Sequence, residues 1–369
     1  MEYVDGLGLS RRDFEAVADR FGRREFRGRE YYNLRQRTRK LPSGTAVVGD
    51  VVVRGFPSIQ RLLVLDAGIR RVFDGPFVAE EKLNGYNVRV VRLRDGAVLG
   101  FTRSGVICPF TTEVVRRDLD LGEFFDRYPD AMLCGEMVGP ENPYTTCAYP
   151  EADSIAFFAF DVRHRETGAP FPPGTRRRVC KRFAIPQVRH FGTFAPSESS
   201  AIHEAVNDLD RARREGIVLK SADGNTLAKY TTSACNRGNL RYGFAYPVDY
   251  GKEYVYPRLL REAFRAVELG DTEEKLAERS RKVGEDILGP FVEAIRDVAA
   301  GETLSESHTV RGDPRVLDEL LDHLGSLGLH VRIESDRTRD GERVLTFSKH
   351  YRSSTDSLSG YLDGGTLSE

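Results

Sequence analysis

Short apolar runs dominate the middle of the chain. Between about residues 75 and 245 these runs are rich in β-branched and aromatic side chains and are separated by turn residues; examples are VRVVRL, AVLGFTR, AMLCGEMV, SIAFFAFDVR, GIVLKS and LAKYTT. Runs of this length and composition predict strands. Helical spacing intervenes near residues 112–127 and 199–214. The pattern therefore predicts an antiparallel-rich α+β domain rather than regularly alternating βα units.

The N-terminal part shows a different pattern. Residues 11 to about 40 predict a basic helical region, in which Ser10 caps a first helix and Gly22 ends it. The two apolar runs that follow, AVVGDVVVRGFP and RLLVLDAGIRRVF, predict strands broken by Gly and Pro.

The C-terminal part is predicted to be mainly helical. After Tyr256 apolar residues recur at helical spacing, with helix N-caps predicted at Thr272 and Asp313. The segments LHVRIES and RVLTFSKHY then predict a pair of strands. The Ser/Gly/Thr-rich end, RSSTDSLSGYLDGGTLSE, predicts a frayed tail.

Composition excludes several classes of protein. The 55 basic and 56 acidic residues leave a net charge of −1, which excludes a polycation but permits local charge clusters. No apolar stretch approaches the length of a membrane span, and the N-terminus is too polar for a signal peptide. The five scattered cysteines form no CxxC pair. They favour a reducing cytoplasm over a disulfide framework or a zinc site.

Basic residues are concentrated between Arg20 and Lys40, where nine of them surround the adjacent tyrosines Tyr31 and Tyr32. Arginine interleaved with tyrosine suits an RNA backbone and stacked bases. The region is therefore one candidate for RNA contact, and the run 176–178, three arginines, is a second. The alternative interpretation of both segments is that their charged side chains form a solvated face of the protein. Lysine, by contrast, is rare, with nine in the chain.

The chain contains neither a phosphate loop nor a dinucleotide-binding glycine motif, and its nearest zincin pattern lacks the second histidine. Six short motifs are present in one order: EEKLNG from residue 80, TRSG from 102, CGE from 134, FDVR from 160, EGIVLKS from 215 and LAKY from 227. One K-x-[DN]-G motif is weak evidence, because short patterns recur by chance. Six in order are strong evidence.

This ordered set resembles the covalent nucleotidyltransferase superfamily of ATP-dependent ligases and RNA capping enzymes. Over residues 50–245 it is most similar to the archaeal-type homodimeric ATP-dependent RNA ligases, through KLNGYNVRV, TRSGVICPFTTE, CGEMVGPENPY, EGIVLKS, KYTTS and the earlier run RGFPSIQR. The resemblance implies an ATP-grasp-like nucleotidyltransferase domain. The predicted domains are a basic β-rich module at 1–74, the adenylylation domain at 75–245, a helical dimerisation module at 246–306 and an α+β domain at 307–369.

The resemblance implies that Lys82 is the nucleophile that forms a lysyl-AMP intermediate. A free lysine has a pKa near 10.4, so deprotonation at pH 7 costs about 4.6 kcal/mol. The pocket must therefore disfavour the ammonium, and Lys220 and Lys229 would supply that field and bind phosphates. Leu227 and Thr231 flank Lys229 where many ligases carry a second lysine. Whether Lys220 takes that second role stays open.

The resemblance assigns the remaining nucleotide contacts as well. Glu80 would hold the adenine edge, and Asn87, five residues after the nucleophile, would contact the sugar or a phosphate. Arg103 and Glu136 would bind the ribose hydroxyls and phosphates. Phe160 would stack on adenine, although its aromatic neighbours at 157 and 158 leave this register open.

The resemblance also implies that Glu215 binds the catalytic Mg²⁺, or Mn²⁺, to which a carboxylate offers the hard oxygen ligand that these ions prefer. The predicted activity is ATP-dependent joining or circularisation of RNA that carries 5′-phosphate and 3′-hydroxyl ends, by a cytoplasmic homodimer. A DNA ligase is the alternative enzyme, although an all-β domain would then be expected after the last motif. A non-catalytic RNA-binding protein that retains the nucleotide pocket is the third interpretation.

Overall fold

A computed structural model describes residues 5–339 and 341–367. Within these residues the chain forms four β-sheets and eleven α-helices, which confirms the predicted mixed, antiparallel-rich α+β class. No helix in the described part of the chain is long and apolar enough to cross a membrane.

The N-terminal module is a four-stranded antiparallel meander preceded by a short helix. Its elements are α1 (Arg11–Glu15), β1 (Phe21–Phe26), β2 (Arg29–Leu34), β3 (Ala46–Val48) and β4 (Val51–Val53). The prediction of a helical region to residue 40 was wrong, although Ser10 caps α1 as expected. Gly22 lies within β1 instead of ending a helix. Tertiary pairing decides here, because Phe21 and Leu34 are buried against the valines of β3 and β4.

Two sheets form the centre of the molecule. The first has the order β10-β9-β7-β8, and the second has the order β11-β6-β12-β13-β5. Their strands are β5 (Gln60–Arg61), β6 (Phe77–Lys82), β7 (Tyr86–Arg92), β8 (Val98–Thr102), β9 (Ala131–Val138), β10 (Ala156–His164), β11 (His190–Phe194), β12 (Gly216–Ser221) and β13 (Leu227–Thr231). All pairs are antiparallel except β13 with β5.

Helices cover the outer faces of these two sheets. They are α2 (Leu65–Val72), α3 (Pro109–Asp118), α4 (Gly122–Arg127), α5 (Pro173–Arg182) and α6 (Ser199–Arg211). The run RLLVLDAGIRRVF was predicted as a strand, but most of it forms α2. Leu65 and Ile69 are one helical turn apart, and both are buried in the core that α2 shares with α6 and the second sheet.

The C-terminal part begins with three helices, α7 (Ser233–Ala245), α8 (Lys252–Glu268) and α9 (Glu273–Ala299). It continues with β14 (Ser305–Gly312), α10 (Pro314–Ser326), β15 (His330–Arg339), β16 (Glu342–His350) and α11 (Arg352–Leu362). Thr272 and Asp313 cap α9 and α10 as predicted.

The expected fraying at the C-terminus was wrong for α11, because Ser354 and Leu358 of this helix are buried and Leu358 packs in a core shared with α9. Residues 368 and 369 lie outside the described part. The largest core joins the first central sheet to α10, β14 and β16. The C-terminal α+β unit is therefore packed directly on the first central sheet.

Candidate active site

The candidate nucleophile forms an ion pair with the candidate metal ligand. Lys82 ends β6 opposite Gly216, which begins β12, so that Glu215 lies beside the amine. The Lys82 Nζ and Glu215 Oε2 atoms are 2.7 Å apart, and the two side chains are only 21% and 13% exposed. At Gly216 φ is +147°, and a Cβ would lie 2.2 Å from the carbonyl oxygen of Tyr230. Glycine after Glu215 is therefore a steric requirement of this strand pairing.

A cavity of about 350 Å³ lies between the two central sheets, beside Lys82. Eight of the nine predicted site residues line it: Glu80, Lys82, Asn87, Arg103, Glu136, Phe160, Lys220 and Lys229. Glu215, the ninth, contacts Lys82 from the side of a neighbouring cavity. The fold therefore brings the whole predicted set together from motifs that span more than 130 residues.

Asn87 and Glu136 face one another across β7 and β9. The Asn87 Oδ1 atom is buried and has no hydrogen-bond partner among the described residues. The backbone N–H of Gly85 donates to Glu136 Oε1 at 3.2 Å, and burial raises the pKa of Glu136 to about 7 despite the nearby Lys82. A Cβ at Gly85 would lie 2.0 Å from the carbonyl oxygen of Met137. The glycine of the lysine motif thus permits β9 to approach closely.

Glu80 belongs to a buried charge cluster that the sequence did not reveal. Its carboxylate is 1% exposed, accepts a hydrogen bond from Arg176 and lies 3.0 Å from Lys220 Nζ. Lys220 Nζ also donates to the carbonyl oxygen of Phe160. The prediction that Arg176 contributes to an RNA-binding arginine run was wrong, because Arg176 is fully buried. Since Glu80 already neutralises Lys220, the two predicted phosphate lysines have different environments.

Lys229 has no ion-pair partner in the part of the chain that the structure describes. Burial, and then the charge of Lys82, lower its pKa to about 8. For Lys82, burial also acts to lower the pKa, but Glu215 and Glu136 outweigh it and the pKa is raised. The pocket therefore does not disfavour the Lys82 ammonium, contrary to the expectation from the sequence. Lys82 is instead held protonated by Glu215.

Phe160 is the aromatic side chain of β10 that reaches the cavity. The pairing of β10 with β9 shifts register between Ala159 and Asp161, so Phe160 is the extra residue of a β-bulge, which re-aims side chains. Its ring packs edge-on against Phe56, with centroids 5.2 Å apart. Phe157 instead lies in the main core. Phe56 belongs to the RGFPSIQR run, which resembles the ligase family, but the sequence predicted no role for this phenylalanine.

A second buried arginine positions the loop that carries Arg103. Arg89 is fully buried and donates to the carbonyl oxygens of Arg54, Gly44 and Thr102 at 2.7, 2.9 and 2.7 Å. Burial lowers the pKa of Arg89 to about 10. This guanidinium fastens the N-terminal module to the end of β8, and Arg103 follows directly. Nothing in the sequence distinguished Arg89 from its many neighbouring arginines.

The basic N-terminal run is only partly available for RNA. Tyr31 is 2% exposed, and its hydroxyl accepts a hydrogen bond from the backbone of Ile107, so its ring is not free to stack on a base. Arg27 forms an ion pair with Glu319 of α10. RNA contact by the remaining residues of this run stays a prediction.

Comparison with known proteins covers nearly the whole chain. Residues 75–231 match the family model of RNA ligase, and residues 242–365 match that of the Ligase Pab1020 C-terminal region. An uncharacterised protein of Methanocaldococcus jannaschii is 35% identical over 380 aligned residues, which cover 98% of this chain and 95% of that protein.

Two solved structures are similar throughout. An archaeal ATP-dependent RNA ligase superposes with a TM-score of 0.92 at 35% identity, covering 98% of each chain. An Aquifex aeolicus protein proposed to be an ATP-dependent DNA ligase superposes with a TM-score of 0.89 at 26% identity, covering 97% of this chain and 99% of that one.

Proposed function

The chain belongs to the archaeal ATP-dependent RNA ligase family, and on that premise we propose that it seals RNA ends in three steps. Lys82 Nζ first attacks the α-phosphorus of ATP, forming a P–N bond while the bond to pyrophosphate breaks and the amine loses a proton. An RNA 5′-phosphate oxygen then takes the AMP and releases the lysine. Finally a 3′-hydroxyl oxygen attacks the RNA 5′-phosphorus, expels AMP and gives up its proton.

The cavity suits ATP. The unpartnered Asn87 Oδ1 can accept from a ribose hydroxyl, and Phe160 offers an aromatic face to adenine. Arg103 and Lys229 are cations that carry no carboxylate partner within ion-pair distance in the described residues and can bind phosphates. We assign Glu80 and Lys220 to the adenine end, where they act as a pre-formed, mutually neutralised pair.

Glu215 fits Mg²⁺ or Mn²⁺. It offers a carboxylate beside the reacting amine, and the described residues hold no cluster of three or more metal-binding side chains, as expected when phosphates and water complete the shell. Such an ion would neutralise phosphate charge and remove Glu215 as the ion-pair partner of Lys82. Lys82 would then face Lys229 and Arg103, whose charges favour its neutral, nucleophilic form.

The observation that carries this proposal is the Lys82–Glu215 ion pair at the wall of the nucleotide-sized cavity. The test is incubation with α-labelled ATP and Mg²⁺, followed by acid precipitation. We expect label on the wild type and on Lys181→Ala, an exposed control, and none on Lys82→Ala. Unlabelled wild-type protein, or undiminished label on Lys82→Ala, would refute the lysyl-AMP step and favour a non-catalytic RNA-binding protein.

The polynucleotide is tested by discharge of the labelled enzyme. We expect AMP to pass to 5′-phosphorylated single-stranded RNA and to be followed by joining or circularisation. The similarity to the Aquifex protein keeps nicked DNA as the competing substrate. Preferential discharge onto nicked DNA would replace RNA ligase by DNA ligase as the function.

A homodimer is proposed from the surface of α8 and α9. These helices expose large apolar side chains: Tyr256, Phe264, Val267, Leu269, Leu276 and Leu288. Val267 and Leu288 are 82% and 65% exposed. Exposed apolar side chains grouped on one surface are typical of a protein–protein interface. Light scattering should give twice the chain mass, and Val267→Glu with Leu288→Glu should give a folded monomer. A monomeric wild type would refute the assignment.

The five unpaired cysteines support a reducing, cytoplasmic location.

A further inference from the structure

A second cavity, of about 690 Å³, lies on the other side of the Lys82–Glu215 ion pair. Lys82 lines the cavity of about 350 Å³ described above, from here on called the adenylate cavity, and Glu215 lines the second one, so the two cavities adjoin at the Lys82–Glu215 ion pair. Five tyrosines share the lining of the second cavity with Glu215: Tyr144, Tyr149, Tyr242, Tyr250 and Tyr254. Below it is called the tyrosine cavity.

The tyrosine rings are fixed by their hydroxyl groups. Tyr254 Oη donates to Asn239 at 2.9 Å, and Tyr242 Oη donates to Glu306 at 2.8 Å. The ring of Tyr250 lies between them, with centroid distances of 4.8 Å to Tyr254 and 5.0 Å to Tyr242. All three rings are half-buried, and the Arg258 guanidinium lies over the Tyr254 ring, 3.7 Å from its centroid, so a base can stack only on the part of this ring that Arg258 leaves open. Rigid, partly exposed aromatic rings are the usual platform on which single-stranded nucleic acids stack their bases.

The charges around this cavity favour hydroxyl groups over a terminal phosphate. The carboxylate of Glu215 is directly at the wall beside Lys82, and a carboxylate accepts hydrogen bonds from ribose hydroxyls but repels a phosphate dianion. Arg214, the cation next to it, is already paired with Glu81 and Glu151. Arg213 also lines the cavity and is exposed, so its charge is accessible to a phosphodiester.

Resting on the function proposed above, we propose that the tyrosine cavity holds the 3′-terminal nucleoside of the RNA strand that supplies the hydroxyl. Its base stacks on Tyr250 and Tyr254, and its vicinal ribose hydroxyls point towards Glu215. The vicinal pair exists in RNA and not in DNA, so this arrangement also provides a means of choosing RNA. The acceptor end would thus reach Lys82 from the side opposite to adenosine.

The test uses a single-stranded RNA with one 2-aminopurine, placed either at the 3′ end or at the 5′-phosphorylated end, since stacking quenches its fluorescence. The Lys82→Ala protein binds it without reaction. We expect the fluorescence of 2-aminopurine at the 3′ position to be quenched. Introducing Tyr254→Leu into the Lys82→Ala protein should weaken binding of that RNA end about tenfold, whereas Tyr254→Phe, which keeps the ring, should retain binding. Tyr361→Leu, which removes an exposed tyrosine on α11, is the matched control. Quenching only at the 5′ end, or unchanged binding by Tyr254→Leu, would overturn the proposal.

A second measurement separates this proposal from the ligase function. Sealing of a 5′-adenylylated RNA donor is followed while the 3′-hydroxyl acceptor is varied. Tyr250→Leu and Tyr254→Leu should raise the acceptor KM about tenfold. Normal acceptor KM in these variants refutes the acceptor site while the ligase function stands. If wild-type protein forms no lysyl-AMP but still quenches the 3′-terminal probe, the function fails and the RNA site stands.

Discussion

The two cavities on either side of the Lys82–Glu215 ion pair are formed by different secondary structure and lined by different kinds of side chain. The adenylate cavity is enclosed by strands and contains buried charges, including the cluster of Glu80, Arg176 and Lys220. The tyrosine cavity is formed largely by helices and loops and presents aromatic rings whose hydroxyls bond to the protein. Buried polar groups with no partner among the described residues, such as Asn87 Oδ1, restrict which ligand binds, because a ligand that cannot pair with them leaves them unpaired. Ring faces accept every base.

The difference matches what a ligase requires on each side of the reacting amine. The nucleotide cofactor is always the same, whereas the terminal base of an RNA varies. The adenylate cavity is lined by residues 56–229, but the tyrosine cavity also needs residues from α7, α8 and the start of β14. The C-terminal part that matches the second family model therefore completes the tyrosine cavity, the proposed site of the RNA 3′ end.

The largest expected effect comes from the residue that both sides share. Glu215→Gln keeps the shape but removes the carboxylate that we propose holds the metal ion. We expect self-adenylylation and the sealing of pre-adenylylated RNA each to fall on the order of 10²–10³-fold, or about 3–4 kcal/mol. Single-turnover rates with labelled ATP and with adenylylated RNA measure the two steps. If only one of the two rates falls, Glu215 contributes to the reaction at only one of the two cavities.

An effect of similar size, on the free energy of unfolding instead of on a rate, should be confined to the adenylate side. Arg176→Met leaves the Glu80 carboxylate buried with one cation fewer, and breaking such a cluster costs about 3–5 kcal/mol of the free energy of unfolding. Urea unfolding measures this cost, and Arg178→Met, an exposed neighbour on α5, is the control. The Kd for ATP should rise as well. Quenching of the 3′-terminal 2-aminopurine should be unchanged in the folded variant, and its loss would show that the cavities are not independent.

The smallest effect concerns the pH dependence that burial imposes on the adenylate side. The pKa of Glu136 is raised to about 7 in the folded protein, so the folded state binds the extra proton and its stability is greatest below the unfolded pKa and falls as the pH rises towards 7. The Glu136→Gln variant has no titrating carboxyl group at this position, so it does not show this fall in stability with rising pH.

We therefore expect Glu136→Gln to be more stable than wild type at pH 8 by about 2 kcal/mol, with the difference small near pH 5. Denaturant unfolding at both pH values measures it, with Tyr254→Phe as a control from the other cavity. An equal difference at pH 5 and pH 8 would contradict a titrating Glu136.

Much of the site could be predicted from the sequence because its chemistry is carried by ordered local motifs. Lys82, Glu136, Lys229 and the other predicted residues converge on one cavity because each motif lies on a strand or strand end of the two central sheets. Their roles towards ATP, RNA and metal stay proposals.

The errors arose where local pattern competed with tertiary contacts. The segment around Leu65 has enough branched side chains for a strand, but its buried face has helical spacing. The basic stretch after Gly22 looks helical, but it pairs with the valine strands β3 and β4. Local propensity is worth only tenths of a kcal/mol per residue, so burial decides such cases.

The sequence by itself predicted the covalent chemistry, because a lysine nucleophile, the glycines beside it and the carboxylates around it require particular residue types that the ordered motifs contain. Only the tertiary structure decided which charges are buried, as with Arg176 and Arg89, and which aromatic rings face a cavity, as with Phe160. It also created the tyrosine cavity, whose walls come from segments between Asn84 and Glu306. Burial and proximity between distant segments are properties of the packed chain, and 46 arginines or 15 tyrosines look alike until packing distinguishes them.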